Sequence, residues 1–183
     1  MRLARLVIIA AFAVLPSMAQ AESAYTDLDL DNCEVLETYE DGGSDLRCDG
    51  FGGVDVFVSE GDARMDVDYG VPSGAFETFS AFNSVGEKVE WMLDEDTAPY
   101  AAALRFFIDV DGRKAQALVV SRLGSGIAPG CVVGIVDASL EQANGIARGL
   151  GALARYFDCT TDQVVIVPGA SELVYGFNGA NPL

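Results

Sequence analysis

The sequence predicts an α+β fold: a mostly antiparallel β-sheet of about eight strands with one C-terminal amphipathic helix packed on it. Two observations predict this fold. Between residues 32 and 136, short segments alternate apolar and polar side chains and are joined by short turns rich in Gly and Asp. Between residues 139 and 157, apolar residues instead recur at steps of three and four, which is typical of a helix.

Residues 63–69 are the clearest predicted strand because their side chains alternate in character. The two sets are Met65, Val67 and Tyr69 on one face and Arg64, Asp66 and Asp68 on the other. Turns at residues 40–43 and 111–112 combine Asp with Gly and predict hairpins. Residues 70–86 contain Pro72 and three Phe, and they predict a loop or an irregular edge whose aromatic side chains reach the core.

The predicted helix begins with a capping box, in which Ser139 and Gln142 satisfy free backbone donors. Its interior holds Gly145, Gly149 and Gly151. Each glycine weakens a helix by up to about 1 kcal/mol relative to alanine. We therefore expect close docking on the sheet to offset that loss.

Residues 1–21 have the three parts of a secretory signal peptide. Arg2 and Arg5 are followed by an apolar run over residues 6–15, and the small-residue cleavage pattern ends at Ala21. A run of about ten apolar residues is too short to cross roughly 30 Å of hydrocarbon. We expect cleavage after Ala21, a periplasmic or secreted protein, and no membrane insertion after cleavage.

The remaining residues 22–183 are expected to form a single globular domain with a loosely ordered tail from about residue 168. They keep 9 of the 11 basic residues and all 28 acidic ones, a net charge of −19. That charge repels nucleic acid and anionic lipid. It favours a cationic partner, such as a basic protein, although charge of this size also serves solubility alone.

Four cysteines, an even number, predict disulfides in an exported chain. We favour the pairs Cys33–Cys48 and Cys131–Cys159, because the members of each pair belong to one local unit. Structural metal sites built from four thiolates normally contain one closely spaced pair. The closest spacing here is fifteen residues, which argues against such a site.

The chain contains no histidine, the commonest general base and transition-metal ligand. Serine and cysteine hydrolases that depend on histidine are therefore excluded. We predict no catalytic residue and no cofactor, and favour a binding function over an enzymatic one. A carboxylate-based hydrolase stays open as an alternative because two of the 28 acids could face each other across a cleft.

Asp27, Asp29 and Asp31 alternate in the manner that opens a calcium-binding loop. The EF-hand pattern then requires Gly where this chain has Asn32. The three aspartates are weak calcium candidates, and an alternating amphipathic strand explains them equally well.

Several segments resemble a group of uncharacterised exported proteins of Gram-negative bacteria. The segments are Cys48-Asp-Gly-Phe-Gly-Gly-Val-Asp-Val-Phe-Val, Glu90-Trp91, Cys131-Val-Val-Gly-Ile-Val-Asp-Ala, Ala143-Asn144 and Ala147-Arg148. The resemblance covers most of the chain between Cys33 and Cys159. It implies a periplasmic location and no particular activity.

A second resemblance lies within the irregular stretch. Ser73-Gly74-Ala75-Phe76-Glu77 is similar to the Ser-Gly-x-x-Tyr loop that periplasmic lysozyme inhibitors insert into the lysozyme cleft. Glu77 stands where that loop has Tyr, and an ordinary polar turn also explains the residues. The resemblance implies a binding loop containing Ser73, Gly74 and Phe76, with a cationic lysozyme as the partner.

Overall fold

The computed structural model describes residues 23–40 and 42–179, so the predicted signal peptide lies outside the described residues. The strands are β1 (Ser23–Asp27), β2 (Glu34–Thr38), β3 (Ser44–Cys48), β4 (Val56–Gly61), β5 (Arg64–Tyr69), β6 (Phe82–Leu93), β7 (Pro99–Val110), β8 (Arg113–Arg122), β9 (Cys131–Asp137) and β10 (Val165–Ile166). The α-helices are α1 (Ala143–Leu153) and α2 (Glu172–Tyr175), and a 3₁₀ turn covers Leu30–Asn32.

The strands form two sheets rather than the single sheet of about eight strands that we predicted. One sheet has the order β1-β6-β7-β8-β9-β10 and the other the order β2-β3-β4-β5. Neighbouring strands are antiparallel, except that β10 runs parallel to β9. The fold is therefore β-rich and mostly antiparallel, as expected.

The six-stranded sheet is buried on both faces. In β7, Leu104 and Phe106 belong to the core shared with Val58 and Val67 of the four-stranded sheet. On the opposite face, Ala103 packs in a second core under α1. The small Ala side chains on the second face allow a helix to approach closely.

Trp91 of β6 lies at the centre of the larger core and is fully buried. Its ring meets Tyr69 of β5 edge to face, with the centroids 5.6 Å apart. Its indole N–H donates to Thr26 Oγ1 at 2.8 Å, so the one polar atom of the side chain is satisfied. Trp91 thereby connects the two sheets and the edge strand β1.

The stretch 70–86 differs from its prediction because regular structure begins at Phe82. The strand β6 pairs with β7 from Phe82 opposite Asp109 through Leu93. Strand β1 was also not predicted; it pairs with the other side of β6, from Ser23 opposite Met92 to Asp27 opposite Lys88.

The helix α1 is shorter than predicted and is not C-terminal, since β10 and α2 follow it. The prediction of a capping box is wrong, because the Ser139 hydroxyl donates to Asp137 Oδ1 at 2.6 Å. Gln142 takes a left-handed conformation, with φ of 60°, and makes no side-chain cap. Ser139 donates to Asp137 instead of capping the helix, because Asp137 is buried and its carboxylate requires hydrogen-bond donors.

As far as residue 179, the segment that we predicted to be a loosely ordered tail packs against the core. Val174 of α2 and Phe177 are buried. Phe177 stacks edge to face on Phe79, with the centroids 5.2 Å apart. Burial of these two apolar side chains stabilises the segment in which they lie.

Both predicted disulfides are present, Cys33–Cys48 with a Cα–Cα distance of 4.5 Å and Cys131–Cys159 with 5.7 Å. Two disulfides indicate an oxidising compartment outside the cytoplasm. Across residues 23–40 and 42–179, no helix has the length and apolar character required to span a membrane.

The glycines of α1 differ in their surroundings, and this difference is testable. A Cβ at Gly151 would lie 2.9 Å from Met92 Cε and 3.1 Å from its Cγ, whereas a Cβ at Gly149 would meet nothing within 4 Å. We expect Gly149→Ala to raise the free energy of unfolding by up to about 1 kcal/mol through helix propensity. We expect Gly151→Ala to lower it by about 1–3 kcal/mol through overpacking.

Urea denaturation of the two variants beside the wild type measures both effects. Equal stabilisation by the two alanines would contradict the proposed close docking of Gly151 on Met92.

Candidate functional site

An open groove of about 480 Å³ lies on the four-stranded sheet. Its lining combines carboxylates with aromatic side chains: Asp45, Glu60, Asp66, Asp68, Tyr39, Phe57 and Phe76. We refer to this feature as the acidic groove. Its volume falls within the range of small-ligand sites, about 300–1,000 Å³.

Strand register places the floor of the acidic groove. In β4 and β5, Val58 and Val67 point into the core, so their neighbours in sequence point to the opposite face. Ser59 stands opposite Asp66 on that outer face. On the neighbouring row Phe57 stands opposite Asp68, so each aspartate has a β4 side chain about 5 Å away between Cβ atoms.

A wall formed by residues 70–79 covers part of this outer face. The chain leaves β5 at Gly70, whose φ is +76°. A Cβ there would lie 2.5 Å from the carbonyl oxygen of Gly124, so only glycine fits. Ser73 then donates to Asp68 Oδ2 twice, from its backbone N–H at 2.7 Å and from its hydroxyl at 3.2 Å.

The far end of the wall is held by hydrogen bonds with the C-terminal segment and with β5. Thr78 is buried, and its backbone N–H donates to Asn178 Oδ1 at 2.7 Å. Asn178 Nδ2 donates back to the carbonyl of Phe76 at 3.1 Å. The Thr78 hydroxyl donates to the carbonyl of Met65 in β5. The segment that we predicted to be loose thus holds the wall of the groove in place.

Three carboxyl groups set the electrostatics around the acidic groove: Asp66 is buried, and Asp68 and Glu77 are half-buried. Desolvation, together with the nearby charge of Asp68, raises the pKa of Asp66 to about 8, although backbone N–H groups of Glu77 and Val67 oppose the rise. Desolvation also raises the pKa of Asp68 and of Glu77 above their ordinary values. The guanidinium of Arg64, on the same face, pairs with Asp62 at 3.1 Å.

The rim of the acidic groove is apolar and open to solvent. Leu36, Tyr39 and Phe76 are 49%, 42% and 38% exposed. The Tyr39 hydroxyl donates to Asp45 Oδ2 at 2.6 Å, and this hydrogen bond raises the pKa of Tyr39 to about 12. The groove therefore offers negative charge at its floor and apolar surface at its mouth.

The structure places the predicted binding loop at this groove. Gly74 and Phe76 line it, and Ser73 holds Asp68 in position. Sequence reasoning missed Asp66 and Asp68, because alternation in β5 placed them on a face expected to contact solvent. The available signal was that face's continuity with the Phe-containing stretch that follows it.

Two of the three calcium candidates, Asp27 and Asp29, have other partners for their carboxylates in the structure. Asp27 pairs with Lys88. Asp29 caps the 3₁₀ turn by accepting from the Asp31 N–H at 3.2 Å and from Asn32 Nδ2 at 2.6 Å. Within the described ranges, no group of three or more Cys, Asp or Glu is arranged to hold a metal ion.

Comparison of the chain with protein-family models, with curated proteins and with solved structures gave no match. The function must therefore be argued from the acidic groove itself. Chemically, this groove can attract a cation, and it also holds two carboxyl groups, those of Asp66 and Asp68, whose pKa values are both raised.

The pKa of Asp66 predicts a specific dependence of stability on pH. A pKa of about 8 in the folded state, against an ordinary 3.8, means that the folded protein binds the extra proton between those values. The free energy of unfolding consequently falls as pH rises from about 4 to about 8. One extra bound proton gives this fall a slope of up to about 1.4 kcal/mol for each pH unit. Replacing Asp66 by Asn should remove that part of the pH dependence.

Denaturation of wild type and Asp66→Asn between pH 5 and pH 8.5 measures the difference. The exposed Asp49→Asn is the matched control and should follow the wild type. Parallel curves for Asp66→Asn and the wild type would refute the buried, protonated state of Asp66.

Proposed function

We propose that this chain is an exported, periplasmic interaction domain that binds a cationic protein at the acidic groove without catalysing a reaction. One observation carries the proposal. Carboxylates at the floor of the groove and exposed apolar side chains at its rim form a surface complementary to a basic, partly apolar partner. Charge complementarity of this kind provides specificity and fast association.

The charge of the whole chain supports the same choice of partner. The formal net charge of the full sequence is −17, and it becomes more negative if the two arginines of the predicted signal are removed. Such a field attracts basic proteins and repels nucleic acid. A lysozyme is one such basic protein, because the loop that contains Ser73 resembles the loop that periplasmic lysozyme inhibitors insert into the lysozyme cleft.

A titration against a cationic lysozyme tests the proposal. The protein is produced with its own N-terminal sequence and recovered from the periplasm in oxidised form. Mass spectrometry should give the mass of residues 22–183, as expected for cleavage after Ala21. We expect inhibition of cell-wall lysis at near-stoichiometric ratios in about 150 mM salt, where bare charge attraction is largely screened. Ser73→Ala should weaken it, because Ser73 holds Asp68.

The exposed Ser125→Ala, in the β8–β9 connection, is the matched control and should inhibit like the wild type. Without inhibition at large excess, the lysozyme version is rejected. The immobilised protein is then exposed to a periplasmic extract at the same salt concentration. If it retains no basic protein, the proposal as a whole is rejected.

A second candidate is a carboxylate-based hydrolase, favoured by the position of Asp66 and Asp68 in one groove. Their Cα atoms, two residues apart in a strand, are separated by about 6.6 Å. A protonated Asp66 could give its proton to the oxygen of a leaving group. An ionised Asp68 could take a proton from the attacking water, as in inverting glycosidases.

Release of reducing ends from peptidoglycan and from soluble polysaccharides measures this activity. If the chain is such an enzyme, Asp66→Asn and Asp68→Asn should each reduce the rate at least about 100-fold, and Asp49→Asn should not. A wild type that releases no reducing ends, or an Asp66→Asn variant of undiminished rate, rejects the hydrolase.

A further inference from the structure

We propose that the acidic groove binds a linear aliphatic diamine of four or five carbons, free in solution. The inference goes beyond the proposed function, because it assigns a small-molecule ligand to the groove and requires no protein partner. It depends on three features of the described residues: the spacing of the carboxylates across the sheet, the aromatic side chains between them, and the lack of a salt bridge to any of them.

The carboxylates of the groove lie on two strands, with one strand between them. Asp45 of β3 stands opposite Ser59 of β4, and Ser59 stands opposite Asp66 of β5, so the three side chains form one row on the outer face. Neighbouring strands are about 4.8 Å apart, which places the Cα atoms of Asp45 and Asp66 about 10 Å apart. Ammonium groups bound about 2.9 Å from each carboxylate then lie about 4–10 Å from one another. The nitrogen atoms of extended four- and five-carbon diamines are about 6–8 Å apart, which falls within this range.

Aromatic side chains line the groove above the middle strand. Phe57 belongs to β4 and lies on the same face as Ser59, two residues further along. Phe76 reaches β4 from the wall, where its Cζ lies 3.9 Å from the position of a Cβ at Gly61. Methylene groups pack against such rings, and the ring faces also attract ammonium groups. Apolar surface between two separated carboxylates is complementary to a chain with charged ends and an apolar middle.

The charge on these carboxylates is not neutralised by a neighbouring side chain. Among the described residues, no salt bridge includes Asp45, Asp66 or Asp68. The two arginines of the four-stranded sheet, Arg47 and Arg64, pair with other carboxylates. Asp66 lines the groove and is only 7% exposed, so its ionised form is penalised until a cation enters. Neither a single ammonium nor a compact metal ion can contact carboxylates about 10 Å apart, whereas a diamine can.

Three probes test the inference by calorimetric titration of the full exported protein. They are 1,4-diaminobutane, n-pentylamine, which has a methyl group in place of one ammonium, and calcium chloride, which has the same double charge without the spacing. The titrations are made in about 150 mM salt, where weak surface attraction is screened. We expect 1,4-diaminobutane to bind at least about tenfold more tightly than either of the other probes.

Variants locate the two ends of the ligand. Asp45→Asn and Asp66→Asn each remove one carboxylate, so each should weaken 1,4-diaminobutane about tenfold and n-pentylamine much less. Phe76→Ala, at the exposed rim, removes only an aromatic contact and should weaken the diamine several-fold. The exposed Asp49→Asn is the matched control and should bind like the wild type.

The remaining outcomes overturn the inference. Binding of n-pentylamine or calcium as tightly as the diamine would show that two separated charges are not recognised. Equal weakening of diamine and monoamine by Asp45→Asn would show a disturbed groove rather than the loss of one end. Complex formation with a basic protein is measured separately. A diamine that binds where no basic protein does supports this inference and rejects the proposed function, and the reverse result rejects this inference alone.

Discussion

The central strands of the six-stranded sheet are apolar on both faces, and each face must be covered. In β7, Leu104 packs on the four-stranded sheet while Ala103 packs under α1. Water on either face would expose a large apolar area, so the two covers are required together. Close approach of the helix depends on Gly151 of α1 and on Gly134 of β9, where a Cβ would lie 2.8 Å from Leu150 Cδ1.

This arrangement leaves the four-stranded sheet with only one face in the core. Its outer face can carry polar side chains, and the wall of residues 70–79 then folds over part of it. Phe79 and Thr78 anchor that wall to Phe177 and Asn178 near the end of the described chain. The acidic groove is therefore built by contacts between segments about 100 residues apart, while the strands beneath it are local hairpins.

Alternation and turn chemistry predicted most strands, both disulfides and the late helix, because these features depend on near neighbours in sequence. Alternation shows which residues share a face, but not which sheet a strand joins, so the second sheet was missed. The burial of Phe177 was not predicted, because its partner Phe79 lies far away in sequence. Asp66 and Asp68 were placed in solvent for the same reason, since nothing in β5 reveals the wall above them.

Asp66 is 7% exposed, and none of the salt bridges among the described residues includes it. Ionising such a carboxyl costs stability, as its raised pKa indicates. An asparagine there would not bear that cost. Departures from the rules of burial that bring no structural gain are expected at functional sites, where stability is exchanged for activity. A cation in the groove would stabilise the ionised form of Asp66, so the bound state would offset the cost that the free protein bears.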